Sequence, residues 1–274
     1  MELNAFKMDG LGNDFVIIDQ RKNSINLSKQ QILKICDRKY IGCDQLIYIT
    51  KSDNAYAGLE FYNSDGSQSG ACGNGTRCVA FLLSKEANQK NIELSVDNNI
   101  LISSVIEDFK VETIIGKPKF NWNEIPLSEN LNTRNLNLKL TDIHNNDFFG
   151  GIAINVGNPH IIFFVDDIEK YNLEKIGPEF ENHKLFPEKC NVTLAKKINN
   201  DLIKVKVWER GAGLTKACGT AACATAVAAN MDNLKNSKTE IEFGLGKLLI
   251  YIDQDEFIHM TGPVSKIEKI ELKV

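Results

Sequence analysis

The chain repeats itself, and that repeat limits the folds open to its 274 residues more than any other feature. Ala71-Cys72-Gly73 and Ala217-Cys218-Gly219 stand 146 positions apart. At the same spacing Asn63 matches Glu209 and Gln45 matches Asn191, and at 145 Gly12-Asn13 matches Gly157-Asn158. Any one pair could be coincidence. Four polar pairs in one order, at nearly one spacing, read as a duplication. We therefore expect two homologous halves joined near residues 116–120, where the loop-like stretch 116–133 carries Pro118 and Pro126.

Apolar runs bounded by Gly, Asn and Asp predict strands over 15–19, 46–49, 59–62, 100–106, 161–165, 203–208 and 247–252. Helices are predicted over 28–38, behind a Ser28 cap, over 73–83 and over 219–229. The third of these has no charged residue and almost only small side chains. A helix apolar on every side is a buried helix. The expected class is α/β (α+β), with two pseudo-symmetric domains. Each is a curved, mostly antiparallel sheet wrapped around its own central helix.

A net charge of −4 gives no reason to expect nucleic acid or a membrane as partner. The N-terminus lacks the apolar core of a signal peptide, and no apolar run approaches the roughly 20 residues that span a bilayer. Seven cysteines without regular spacing point to free thiols in the cytoplasm rather than a disulfide scaffold.

The repeated positions carry the chemistry. Cys72 and Cys218 each stand where a strand-loop ends and a helix begins. The N–H groups and dipole of a helix N-terminus stabilise a thiolate and also hold a carboxylate. A thiol beside such an anion site suits removal of a proton α to a carboxylate. Two such sites facing one ligand suit inversion, with one thiolate taking a proton and the other thiol returning one to the opposite face. A single cysteine before glycine is more often a small packed residue; here the flanking polar pattern recurs with it. Cys36, Cys43, Cys78, Cys190 and Cys223 keep the packing reading. Asn13, Gln45, Asn63, Asn158, Asn191, Glu209 and Arg210 are ordinary turn residues singly, but as matched pairs they read as polar walls of one site. Arg210 has Ser64 as its counterpart, so it breaks the symmetry and suits a carboxylate. His160, opposite Phe15 in the repeat, is a candidate for tuning a thiol.

Other chemistries fit less well. Five residues separate Cys72 from Cys78 and four separate Cys218 from Cys223, without the close pairs of zinc sites or a Cys-x-x-Cys redox motif. Gly73-Asn74-Gly75-Thr76-Arg77 lacks the Lys-Ser/Thr of a phosphate loop. Neither metal nor cofactor is expected.

At these residues the sequence resembles the diaminopimelate epimerases. The likeness runs from Lys7-Met8-Asp9-Gly10-Leu11-Gly12-Asn13-Asp14-Phe15 to Met260-Thr261-Gly262. It is carried by Asn63-Ser64-Asp65-Gly66-Ser67 before Cys72-Gly73-Asn74-Gly75-Thr76-Arg77-Cys78, by Gly157-Asn158-Pro159-His160, and by Glu209-Arg210-Gly211-Ala212-Gly213 before Ala217-Cys218-Gly219-Thr220. The resemblance implies interconversion of LL- and meso-2,6-diaminoheptanedioate without pyridoxal phosphate, on the route to lysine and peptidoglycan. It implies domains of 1–116 with 263–274 and of 117–262, a site in the cleft, and a possible homodimer. Cys72 and Cys218 would be the acid/base pair, with Gly73, Asn74, Gly219 and Thr220 holding the reacting carboxylate. Asn13, Gln45, Asn63, Asn158, Asn191, Glu209 and Arg210 would bind the rest of this amino-acid substrate, and His160 and Glu209 would tune the thiols. Leu214 and Ala221 depart from the residues common in that family, Glu and Gly.

Two alternatives stand beside this reading. One is a proline- or hydroxyproline-type racemase with the same thiol pair; the polar wall of Asn158, Asn191 and Arg210 argues for a substrate with a second charged end. The other is a non-catalytic amino-acid-binding protein, which would need neither thiol.

Overall fold

The computed structural model describes residues 2–70, 72–97 and 99–273, so Ala71 of the first repeated tripeptide lies outside the described residues. The chain forms two compact units, Met1–Ile114 with Thr261–Val274, and Ile115–Met260.

The first unit runs β1 (Glu2–Gly10), β2 (Asn13–Asp19), α1 (Lys29–Cys36), β3 (Gln45–Thr50), β4 (Ala57–Asn63), β5 (Gln68–Ser69), α2 (Gly73–Ala87), β6 (Asn91–Val96), β7 (Asn99–Glu107) and β8 (Lys110–Gly116). Strands β1 and β2 pair antiparallel, β2 and β3 parallel, β3 and β4 antiparallel, β4 and β6 parallel, and β6 and β7 antiparallel. The second unit begins with a two-stranded ribbon, β9 (Leu138–Thr141) and β10 (Asp147–Gly150). It continues through β11 (Ile152–Asn155), β12 (Pro159–Phe164), α3 (Leu173–Glu181), β13 (Asn191–Lys197), β14 (Leu202–Glu209), β15 (Gly213–Thr215), α4 (Gly219–Ala229), β16 (Ser237–Phe243), β17 (Gly246–Ile252) and β18 (Ile258–Pro263). Its pairings from β11 to β17 follow the same alternation of antiparallel and parallel. The last strand, β19 (Glu268–Lys273), adds antiparallel to β1.

The duplication extends to register. Phe15 pairs with Gln45 across β2 and β3, and their repeat counterparts His160 and Asn191 pair across β12 and β13. Phe61 pairs with Ser69, and Val207 with Thr215, again 146 positions on. A one-residue slip turns every side chain to the other face of a sheet, so matched register puts matched residues on matched faces.

In each unit the strands pack around that unit's own helix. Helix α2 is buried from Asn74 through Ser84, and α4 from Ala221 through Ala228. A Cβ on Gly75 would lie 2.7 Å from Ile47 Cδ1, 2.9 Å from Phe61 Cε1 and 3.2 Å from Phe15 Cε1. The first turn of α2 therefore seats directly on β2, β3 and β4. Gly75→Ala gains helix propensity but overpacks this contact. We expect a net loss of about 1–2 kcal/mol, read as a lower urea midpoint with an unchanged slope; an unchanged midpoint would mean that the two aromatic rings yield freely.

Where the sequence reading falls short, the reasons are local. Helix α1 ends at Cys36, because Asp37 turns extended. Helix α2 runs on past Leu83 to Ala87, through Ser84-Lys85-Glu86, which form helix readily but carry no apolar signal. Helix α3 carries no clear helical signal in the sequence, since Gly177 and Pro178 interrupt its pattern. Strands β6 and β16 alternate buried residues with polar or charged ones, so no apolar run marks them.

Candidate active site

Helix capping separates the two thiol-bearing helices from the others. Ser28 closes α1 with a full capping box, and the Asn172 side chain accepts from the Lys175 N–H at the start of α3. At α2 and α4 the cap positions are Cys72 and Cys218, and neither supplies a side-chain cap hydrogen bond. Cysteine is a poor choice there, since a Ser, Thr, Asp or Asn cap is worth about 1 kcal/mol over a residue that cannot cap. A local rule broken at both repeated positions makes them candidates for a functional site. It leaves the first-turn N–H groups of each helix without a capping oxygen from that position, at the end that attracts anions.

In the first unit the Cys72 thiol donates to Asn13 Oδ1 at 3.6 Å, and Asn74 Nδ2 donates to the same oxygen at 3.5 Å. Behind them the buried Arg77 donates from Nη2 to Asn74 Oδ1 at 2.7 Å. Asn13 in turn donates to Asp44 Oδ2 at 3.2 Å. Gln45 donates to Asn63 Oδ1 at 3.1 Å and to Ser69 Oγ at 3.3 Å. Asn13, Asn74 and Cys72 thus form one cluster, while Gln45 and Asn63 are cross-strand partners at the adjoining ends of β3 and β4.

In the second unit Cys218 is buried, and its Sγ lies 3.5 Å from Thr220 Oγ1. The Glu209 carboxylate neighbours Thr215 and Cys218, and burial pushes its pKa up. Burial first, and the Glu209 charge second, push the Cys218 thiol well above its ordinary value, with the Thr220 hydroxyl opposing. The helix N-terminus alone favours a thiolate here; at Cys218 desolvation and a neighbouring carboxylate outweigh it. Asn191 accepts from the Arg210 N–H at 3.0 Å and donates to the Pro159 carbonyl at 3.1 Å. The exposed Arg210 donates from Nη1 to the Glu188 carbonyl at 2.9 Å.

A sequence model of the diaminopimelate epimerase family matches residues 5–121 and 152–267, which take in both thiol-bearing helices. The chain belongs to the diaminopimelate epimerase family. It is 65% identical to the diaminopimelate epimerase of Pelagibacter ubique over 274 residues, the full length of both chains. It is 41% identical to that of Acidiphilium cryptum, over 97% of this chain and 95% of the relative. Among solved structures, the chain shares its fold with a hydroxyproline epimerase from Agrobacterium vitis, at a TM-score of 0.69 and 9% identity over 99% and 92% of the two chains. It also shares it with a Bacillus anthracis phenazine biosynthesis protein of the PhzF family, at 0.68 and 14% over the full length of both.

Within this family framework the structure adds residues that the polar pairs alone do not bring out. Ser69, bonded to Gln45, and Thr215, beside Glu209, are themselves 146 positions apart. The repeat contains that signal, but serine and threonine match too commonly to stand out. Among the described residues no group of three or more His, Cys, Asp or Glu is arranged to hold a metal ion, and no helix is long and apolar enough to cross a membrane.

His160 is fully buried, with Nε2 2.8 Å from Asn158 Oδ1 and 3.5 Å from Asn191 Nδ2. Its Nδ1 has no hydrogen-bond partner among the described residues. Burial, aided by the Arg210 charge, lowers its pKa to about 3, so the ring is neutral at physiological pH. The unfolded chain binds this proton near pH 6.5 and the folded one only near 3, so stability falls as pH drops through that window. By about pH 4 the loss from this one ring reaches roughly 3 kcal/mol. His160→Gln is expected to flatten the fall in urea midpoint between pH 6.5 and 4 relative to wild type. Parallel profiles would place the proton uptake elsewhere.

Proposed function

We propose that the chain is a diaminopimelate epimerase that interconverts the LL and meso isomers of 2,6-diaminoheptanedioate by passing a proton at one Cα between two thiols, without a cofactor. The observation that carries this is a cysteine in place of an oxygen-bearing cap at the start of two buried helices, built twice on matched strands, in a chain of this family.

The chemistry follows from those two ends. The first-turn N–H groups at Gly73 and Asn74, and at Gly219 and Thr220, hold the carboxylate next to the reacting carbon. They also stabilise the charge that moves onto that carboxylate as the Cα–H bond breaks. One thiolate takes the Cα proton, leaving the electron pair delocalised over the carboxylate. The other thiol gives its proton to the opposite face, and the two sulfurs end with their protonation states exchanged. Cys218 enters this cycle protonated, since burial and Glu209 both favour the neutral thiol. Glu209 acts on Cys218 by charge, and the neutral His160 acts by position, through Asn158 and Asn191, while Asn13, Gln45, Asn63, Asn158, Asn191 and Arg210 bind the remainder of the substrate. The same reading takes the enzyme as cytoplasmic and homodimeric, a state that light scattering of the purified protein tests.

Incubation with LL-diaminopimelate in D2O tests the reading directly. NMR is expected to show the meso isomer appearing with deuterium at the inverted Cα. L-proline and trans-4-hydroxy-L-proline under the same conditions should be inert. Turnover of either in place of diaminopimelate would move the chain to the racemase alternative, and turnover of none would leave a binding protein.

A further inference from the structure

The two repeated turns that follow β4 and β14 are held in different ways. In the first unit the turn closes on itself. Asn63 N–H donates to the Ser67 carbonyl at 2.8 Å, and the Asp65 carboxylate accepts from Ser67 N–H at 2.8 Å. In the second unit the position matching Asp65 is Gly211, which brings no carboxylate. One arrives from outside the turn: Glu181, at the end of α3 and only 6% exposed, accepts from the Gly211 N–H through Oε1 at 3.0 Å. Its Oε2 accepts from Trp208 Nε1 at 2.7 Å. One turn earlier on the same helix face, a Cβ on Gly177 would stand 2.4 Å from Trp208 Cγ and 2.5 Å from Cδ2. Helix α3 thus offers a glycine for the face of the indole and a carboxylate for its N–H. Residues 208 and 211, both fixed by Glu181, bracket Glu209 and Arg210.

We propose that Glu181 is the positioning residue for Arg210 and Glu209, through a brace of Gly177, Glu181 and Trp208 present in one half of the duplication only. The brace accompanies the asymmetric charge: Arg210 has Ser64 as its counterpart, and Trp208 has Tyr62, whose hydroxyl donates to its near neighbour Glu60 at 3.3 Å. An exposed arginine samples many rotamers, so a fixed backbone beneath it lowers the entropy lost when it grips a ligand. Glu181 touches no reacting atom in this scheme. Its loss is felt in binding more than in proton transfer. This inference rests on the proposed role of Arg210 at the far end of the substrate.

Glu181→Gln keeps shape and volume but turns one of two acceptors into a donor that faces an N–H. Its KM for diaminopimelate is expected to rise roughly ten-fold, with kcat changed by less than about three-fold, at a temperature where the variant is fully folded. Trp208→Phe removes the indole donor, so in that background Gln can turn its oxygen to Gly211. Glu181→Gln should then cost less than about three-fold in KM, a rescue that general destabilisation would not give. Gly177→Ala displaces the ring without altering the carboxylate, and it should reproduce the KM effect if Glu181→Gln folds poorly. Equal effects of Glu181→Gln in both backgrounds, or a fall confined to kcat, would overturn the proposal. Arg210→Met, assayed in parallel, separates the two readings. If it raises KM and Glu181→Gln does not, the brace fails alone; if Arg210→Met leaves KM unchanged, the role of Arg210 fails first.

Discussion

Cys72→Ala and Cys218→Ala are each expected to abolish inversion at Cα, lowering kcat by at least about 10²–10⁴-fold. Under the proposed two-thiol mechanism each face of the carbon has its own proton carrier, so neither thiol substitutes for the other. Folding should survive both changes. Sulfur is a weak acceptor and neither cysteine supplies a capping oxygen, so removing it costs little at the helix end, although at α4 the Ala221 N–H loses the sulfur it faces. The two variants should nevertheless differ in stability: Cys218 is only 5% exposed and loses packing, whereas Cys72 is partly exposed. A chiral assay of meso-isomer formation, with circular dichroism to confirm the fold, makes the measurement. Near wild-type turnover by either single variant would end the two-thiol mechanism.

The duplication carries most of what the sequence discloses. It marks the two buried helices and the matched loops, and through the spacing of Gln45 and Asn191 it marks the start of β3 and of β13. Strand register follows, because matched polar residues at strand ends hold matched faces inward. What the sequence leaves hidden arises where the halves diverge. Helix α3 is obscured by Gly177 and Pro178, yet Gly177 is required by the Trp208 ring above it. Glu181 looks like any helical glutamate until its carboxylate is seen between two N–H groups. Environment is the other hidden quantity. The helix ends at Cys72 and Cys218 are alike in sequence, but Cys218 has a carboxylate beside it, while Cys72 has the Asn13 amide oxygen within reach. Likewise nothing in Asn158-Pro159-His160 shows that the ring is fully buried and neutral.

Arg210→Met is expected to lower kcat/KM for diaminopimelate by about thirty- to several-thousand-fold, the effect of losing a charge-assisted contact of roughly 2–5 kcal/mol and stranding its carboxylate partner. The repeat supplies two helix N-termini, two thiols and paired amides, but a guanidinium in one half and Ser64 in the other. A ligand with a single acidic end has no use for that difference, whereas a long diacid reacting at one end does. With the helix ends assigned to the reacting carboxylate under the proposed function, Arg210 is left for the distant one. Its backbone N–H is tied to Asn191 and its Nη1 to the Glu188 carbonyl, a neutral partner that aims the guanidinium without cancelling its charge. Methionine keeps the length of the stem and removes the fork. Wild type should therefore discriminate strongly against amino acids that lack the far carboxylate, and Arg210→Met should lose most of that discrimination while alkylation of its cysteines by iodoacetamide proceeds as in wild type. The ratio of kcat/KM for diaminopimelate to that for a monocarboxylate analogue, compared between wild type and variant, decides the point. Equal ratios would mean that another group reads the far end of the substrate.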